Sequence, residues 1–238
     1  AKLADAGLVA AVKGEADKRS TRLSLTEAGR EAFARLNRAT DELFRDLLSP
    51  LSAAQRKSLA GAMGTIRNIL GAPQRKGPVI LRPHRVGDYG WMIHRQGILY
   101  NRQFGWNIDF EALIAGIYNE FHNAPESPPK ELWVAEQNGG IVGSVFVMPS
   151  EGLPDSAQLR MLYVEASARG QGVGTTLVAQ AVNFARDNGY ARMRLWTHTV
   201  QESARRIYAA AGFKVVETIE EFNFGKKMTG EIWELALR

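Results

Sequence analysis

The sequence predicts an α/β fold with a mixed sheet and flanking helices, preceded by a mainly helical region. Three observations predict it. From residue 79 onward, segments of strand period alternate with segments of helical period. A glycine-rich run, Arg169-Gly170-Gln171-Gly172-Val173-Gly174, joins a strand-like segment to an amphipathic helix. Charge is also uneven: residues 1–77 carry fourteen Lys/Arg against eight Asp/Glu, a balance of +6, and the remainder sixteen against seventeen, a balance of −1. Between the two lies Gly71-Ala72-Pro73-Gln74-Arg75-Lys76-Gly77-Pro78, whose glycines and prolines suit a linker. The expected organisation is a helical region over 1–72, a linker over 73–78 and an α/β domain over 79–238.

In the first region, residues 8–12 and 21–25 read as a hairpin around the charged tip 13–20. A helix starting after Thr26 carries Phe33, Leu36, Leu43, Phe44 and Leu47 on a broad apolar face. A second helix is capped by Ser52 with Gln55 three residues on, and runs to Leu70. In the second region, 79–82 is a strand closed by Pro83. Residues 87–100 and 108–121 are helices, the latter with Phe110, Leu113, Ile114 and Ile117 on one side. Strands 132–136 and 141–148 are joined through Asn138-Gly139, a strong hairpin signal. In 157–164, Leu159, Met161 and Tyr163 alternate with Arg160, Leu162 and Val164, the period of a strand. After Gly172, Val173, Leu177, Ala181 and Phe184 recur at helical spacing until Asn188-Gly189. A strand at 193–197 follows, then a helix with Ala204, Ile207, Tyr208 and Ala211 on one face and Gly212 at its end. Strands at 213–219 and 231–237 complete the domain.

The 238 residues, 45% of them hydrophobic, describe a globular chain long enough for one large or two small domains. No apolar stretch approaches the length of a membrane span. With no cysteine there is no disulfide framework, thiolate nucleophile or thiolate metal site, and a cytoplasmic protein is the economical reading. His84, His94, His122 and His198 show no His-Glu-x-x-His spacing, so no metal is expected.

The glycine run is read as a pyrophosphate loop. Glycines let the backbone approach a phosphate, the first amides of the following helix point at the anion, and Arg169 adds a fixed positive charge. A Rossmann fingerprint would need glycine where Thr175 stands and an acidic residue near Arg194-Leu195-Trp196; a Walker loop would need Gly-Lys-Ser/Thr. The spacing Arg-Gly-x-Gly-x-Gly after a strand instead resembles the acetyl-CoA loop of the GNAT family of N-acetyltransferases. Downstream, the run from Gln201 to Phe213 is similar to that family's Asn-x-x-Ala-x-x-x-Tyr-x-x-x-Gly-Phe signature, with Gln201 where the family usually has Asn.

The resemblance covers about two thirds of the chain and implies a GNAT fold with its mixed, partly splayed sheet, acetyl-CoA as co-substrate, and direct acetyl transfer to an amine in a ternary complex. It implies a cofactor site of Leu162, Val164, Arg169, Gly170, Gln171, Gly172, Val173, Gly174, Thr175 and Gln201, with backbone groups near Leu162 and Val164 holding the pantetheine arm. Tyr208 is the expected donor to the departing thiolate. Some family members use a glutamate on the strand before the loop; Gln158 and Arg160 stand there instead. The base stays open among Glu120, His94 and His198. Trp91, Tyr100, Phe104 and Trp106 are read either as an acceptor wall or as core. A small amine, an amino acid or an aryl amine is expected ahead of a protein lysine or N-terminus.

Gly7-Leu8-Val9, Asp17-Lys18-Arg19-Ser20 and Leu25-Thr26-Glu27-Ala28-Gly29 resemble the wing and following helix of MarR-type winged-helix regulators. That resemblance implies transcription regulation, with Lys18, Arg19 and Arg22 available to phosphates, and a homodimer through the two helices. Ala1 falls at or just after the end of what would be the recognition helix, so sequence-specific DNA binding is expected only of a longer chain carrying that helix. The alternative function is a non-catalytic acyl-CoA or metabolite sensor controlling DNA binding.

Overall fold

The computed structural model describes residues 2–13, 21–70 and 77–238, and the chain divides into two compact units, Ala1–Arg75 and Lys76–Arg238. The expected tip with Lys18 and Arg19, and all but the end of the expected linker, lie outside the described residues.

The first unit holds α1 (Lys2–Asp5), β1 (Val9–Lys13), β2 (Thr21–Leu25), α2 (Glu27–Leu48) and α3 (Ala53–Ile69). β1 and β2 pair antiparallel from Val9↔Leu25 to Lys13↔Thr21. Thr26 caps α2 by accepting from the Gly29 amide at 3.0 Å, while its hydroxyl donates to the Gly7 carbonyl at 2.6 Å, which ties the helix start to the hairpin. Gly29 has to be glycine, since a Cβ there would stand 1.9 Å from the Leu8 carbonyl oxygen. Ser52 and Gln55 form a reciprocal capping box at α3. The apolar faces of these helices are open: Phe33, Leu36, Leu43, Phe44 and Leu47 on α2, and Met63 and Ile66 on α3, are all exposed.

The second unit contains β3 (Ile80–Pro83), α4 (Asp88–Phe104), α5 (Ile108–Asn123), β4 (Glu131–Gln137), β5 (Gly140–Ser150), β6 (Leu153–Val164), α6 (Val173–Asp187), β7 (Arg192–His198), α7 (Glu202–Ala210), β8 (Lys214–Asn223) and β9 (Lys226–Ala236). They form a mixed α/β fold. The sheet order is β3-β4-β5-β6-β7-β9-β8. Its pairings are antiparallel except for β6 with β7, which the α6 crossover makes parallel. The central strands β4 and β5 are covered on both faces, so they are apolar on both sides. Trp133, Ala135, Val145 and Val147 pack with Leu177, Val178 and Ala181 of α6; Leu132, Val134 and Phe146 pack with Met92 of α4 and Ile114, Ile117, Tyr118 and Phe121 of α5. Asn138 and Gly139 both take positive φ, as the expected two-residue turn requires.

Two expectations need correction. The helix expected to stop at residue 100 continues to Phe104, because nothing breaks it before Gly105 at φ 69°. The expected strands 213–219 and 231–237 leave a gap that is strand as well: β8 and β9 meet at Phe224-Gly225 in a long hairpin. Glu220, Glu221, Lys226 and Lys227 look like loop residues in sequence, but β8 is the sheet's edge, where charge is compatible with a strand. Among the described residues, no helix is long and apolar enough to cross a membrane.

Candidate active site

The site begins where the sheet splays. β6 pairs with β7 only over Ser156–Gln158 against Arg192–Arg194, so beyond Gln158 the two strands have no ladder between them. On its other edge β6 carries a bulge: Ser144 opposes Tyr163 and Phe146 opposes Arg160, leaving Met161 and Leu162 against one residue of β5. Met161 sits at φ 56°. The bulge reverses the faces. Ala157 and Leu159 face the α6 side before it, whereas Leu162 and Val164 face that side after it and Met161 packs on the α4–α5 side. The simple alternation expected through 157–164 therefore breaks at Met161.

A cavity of about 570 Å³ opens on the α6 side of the splay. It is lined by Leu162 and Val164 of β6, by Arg169, Gly170 and 172–175 of the glycine run, and by Tyr100, Gln103 and Phe104 of α4. Gly170 and Gly172 have φ near 75°, with open space where a side chain would stand. Gly172 is the N-cap of α6 and offers no side-chain cap, leaving the first helical amides directed outward. Those amides and the helix dipole suit an anion. Arg169 stands beside them, donating to the Gln103 side chain at 3.1 Å and, at 3.4 Å, to the Val164 carbonyl.

A smaller cavity of about 110 Å³ lies beyond Leu162, between β6, β7 and α4–α5. Tyr100, Leu162 and Gln201 line both cavities, and Tyr208 lines the smaller one. Burial pushes the Tyr208 phenol pKa well above its ordinary value, so the group stays protonated at any physiological pH. The Gln201 side-chain oxygen accepts from Thr197 Oγ1 and from the His198 amide, both at 3.0 Å, and its Nε2 lies 3.5 Å from the Tyr100 hydroxyl. His198 is 1% exposed, enclosed by Trp106, Trp196 and Phe224, and its Nε2 lies 3.1 Å from Glu221 Oε1. Burial lowers the His198 pKa, against an opposing pull from the Glu221 carboxylate, so the neutral imidazole is favoured.

Of the expected cofactor residues, all but Gln171 line the larger cavity. Gln171 turns away: it donates to the Ser167 carbonyl and accepts from Gln137. Gly174 has a different reason to be glycine from the one expected, because a Cβ there would meet Ile207 Cδ1 at 2.8 Å, so its absence lets α7 pack on α6. The three base candidates are not together. His198 lines the smaller cavity; His94 is exposed and lines neither; Glu120 is exposed and held by Arg160 at 2.6 Å. Of the aromatics, Tyr100 and Trp106 line the smaller cavity and Phe104 the larger, while Trp91 packs on Tyr163 and beneath Arg95. Sequence reading missed Gln103, Trp196 and Glu221. Among the described residues no three His, Asp or Glu side chains stand together as a metal site would need.

Residues 98–213 match the family model described as "Acetyltransferase (GNAT) family". N-acetyltransferase 8F1 of Rattus norvegicus is 36% identical over 104 residues, which cover 42% of this chain and 45% of that protein. The chain thus spans less than half the length of the curated relatives it matches. A ribosomal-protein-alanine N-acetyltransferase from Brucella melitensis shares the fold at 21% identity, with a TM-score of 0.53 over 66% of this chain and 99% of that one. So does an acetyltransferase, yncA, from Salmonella typhimurium solved with its cofactor acetyl-CoA, at 19% identity and a TM-score of 0.53 over 68% of this chain and 95% of that one.

Proposed function

We propose that the Lys76–Arg238 unit, a domain of the GNAT acetyltransferase type, moves an acetyl group from acetyl-CoA to an amine by direct attack. The observation that carries this reading is the parting of β6 from β7 beside an uncapped, glycine-led helix N-terminus. One cavity has anion-binding chemistry at one end, and a second, aromatic cavity adjoins it at Leu162. Pyrophosphate would lie at the amides of 170–175 beside Arg169. The unpaired edge of β6 past Gln158 would take the pantetheine arm as an added strand and polarise the thioester carbonyl. The neutral amine forms the new N–C bond as the C–S bond breaks. Tyr208, which stays neutral and lines the smaller cavity, would give its proton to the departing thiolate.

Of the three base candidates, geometry favours His198, the one on the cavity wall. Glu120 is engaged by Arg160 and His94 faces solvent. The small volume and aromatic lining of the second cavity favour a small amine over a lysine on a folded protein. The absence of cysteine supports a cytoplasmic setting. A screen of amines with acetyl-CoA, reading release of free CoA thiol, tests the reaction. Turnover with any amine supports the enzyme. Tight CoA binding without turnover across a broad panel would make the unit an acyl-CoA sensor instead.

A separate reading concerns the other unit. A hairpin followed by two capped helices with exposed apolar faces supports the wing and two C-terminal helices of a MarR-type regulator over 1–72, with 73–78 as linker to 79–238. Those faces would pair in a homodimer. Sedimentation across a concentration series tests it, and a strict monomer at high concentration would remove it.

A further inference from the structure

His198 and Glu221 come from strands that are not neighbours. β9 runs between β7 and β8, and on it Gly230 stands opposite both His198 and Ile219. The Glu221 carboxylate reaches His198 by passing over Gly230. A Cβ built at Gly230 would lie 2.6 Å from Glu221 Oε1 and 2.8 Å from Trp196 Nε1, closer than real side chains approach. Glycine inside a strand often marks such a close approach. The carboxylate is also fixed at its other oxygen, which accepts from Asn223 Nδ2 at 2.7 Å.

We propose that Glu221 is a positioning residue that holds the His198 imidazole as its Nε2–H tautomer, and that Gly230 is the opening through which it does so. An ionised carboxylate can only accept a hydrogen bond, so the ring nitrogen facing it carries the proton. Nδ1 is then left with its lone pair, the state a base needs. The other charged or titratable groups around this ring are few. Tyr100 of α4, Tyr208 of α7 and Arg160 of β6 share the cavity wall with it. Glu231 of β9 is committed to Arg205 and to the Trp233 indole. The remaining neighbours, Trp106, Trp196, Phe224 and the Gln201 amide, are uncharged. Glu221 is thus the charged group within hydrogen-bond reach of the ring. This inference rests on the reading of His198 as the base.

The test compares wild type with Glu221→Gln, Gly230→Ala and His198→Asn, by kinetics against pH and by imidazole ¹⁵N NMR, the His198 signals being assigned by their loss in His198→Asn. In wild type the NMR shows the Nε2–H tautomer. Glu221→Gln lowers kcat about ten- to a hundredfold with the KM for acetyl-CoA unchanged, within the usual worth of a well-placed base. It also moves the acid limb of the profile to lower pH, since a negative charge beside the imidazolium is gone. Gly230→Ala does the same although the carboxylate remains in the chain, because the new methyl displaces it. Wild-type kcat and pH profile in both variants, or an Nδ1–H tautomer in wild type, overturns the proposal. Full turnover in His198→Asn overturns the base assignment instead. If no amine supports turnover, it is the reaction that fails, and the NMR alone still decides the tautomer.

Discussion

Tyr208 illustrates how far a single residue could be read in advance. Its helical spacing beside Ala204, Ile207 and Ala211 marked a core aromatic, and the ring is indeed 5% exposed and packs near Phe213 and Trp233. What periodicity could not supply is that the same residue also lines the smaller cavity. Tyr208→Phe keeps the packing and loses the hydroxyl proposed as proton donor. Acetyl-CoA affinity by calorimetry should be unchanged while turnover falls about ten- to a thousandfold; wild-type turnover would leave Tyr208 as a core aromatic. His198 was one of three open candidates because sequence carries no sign of which side chains converge. The proposal that it is the base yields a pH prediction: a base works neutral, and burial favours the neutral form, so kcat/KM should climb through a midpoint below the ordinary imidazole value of 6.5. An acid limb centred well above 6.5 would point to another base.

At the scale of elements, the loop and α6 were legible because glycines, apolar period and stop signal agree with one another over residues 170–189. The bulge at Met161 was not, since a one-residue insertion leaves hydrophobicity nearly unchanged while reversing every later side chain. The β8–β9 hairpin was hidden by its edge charges, and Glu221 with it. Two glycines that look alike in sequence should therefore separate in the laboratory. Gly172→Val forces a β-branched residue to φ 78° at the mouth of the larger cavity, and acetyl-CoA binding should be lost with only a modest drop in Tm. Gly174→Val puts a side chain against Ile207 Cδ1, which must shift, so the main effect should be on stability, about 1–3 kcal/mol. Arg169→Ala, which removes an exposed side chain but leaves every amide in place, should weaken binding less than Gly172→Val. Calorimetry and thermal unfolding on the same samples check all three; full affinity in a folded Gly172→Val protein would take the loop out of the cofactor site.

Over the whole molecule, net positive charge and exposed apolar helix faces belong to the first unit, not to the one proposed to carry the chemistry. The balance of +6 through Gly77 against −1 beyond it was legible from composition alone, whereas the openness of the α2 and α3 faces needed coordinates. In sequence this region holds Lys18, Arg19 and Arg22 as candidates for phosphate contacts, and phosphate contacts position a protein without reading bases. These 238 residues should accordingly bind duplex DNA weakly, about micromolar or poorer, with no preference among sequences. Affinity should fall steeply with salt, because each phosphate neutralised releases condensed counterions, at about 0.9 decade of affinity per decade of salt. Fluorescence anisotropy with several unrelated duplexes across a salt series measures both slope and selectivity. A nanomolar preference for one sequence at physiological salt would mean that base-reading contacts exist within this chain, and that the first unit is more than a positioning element.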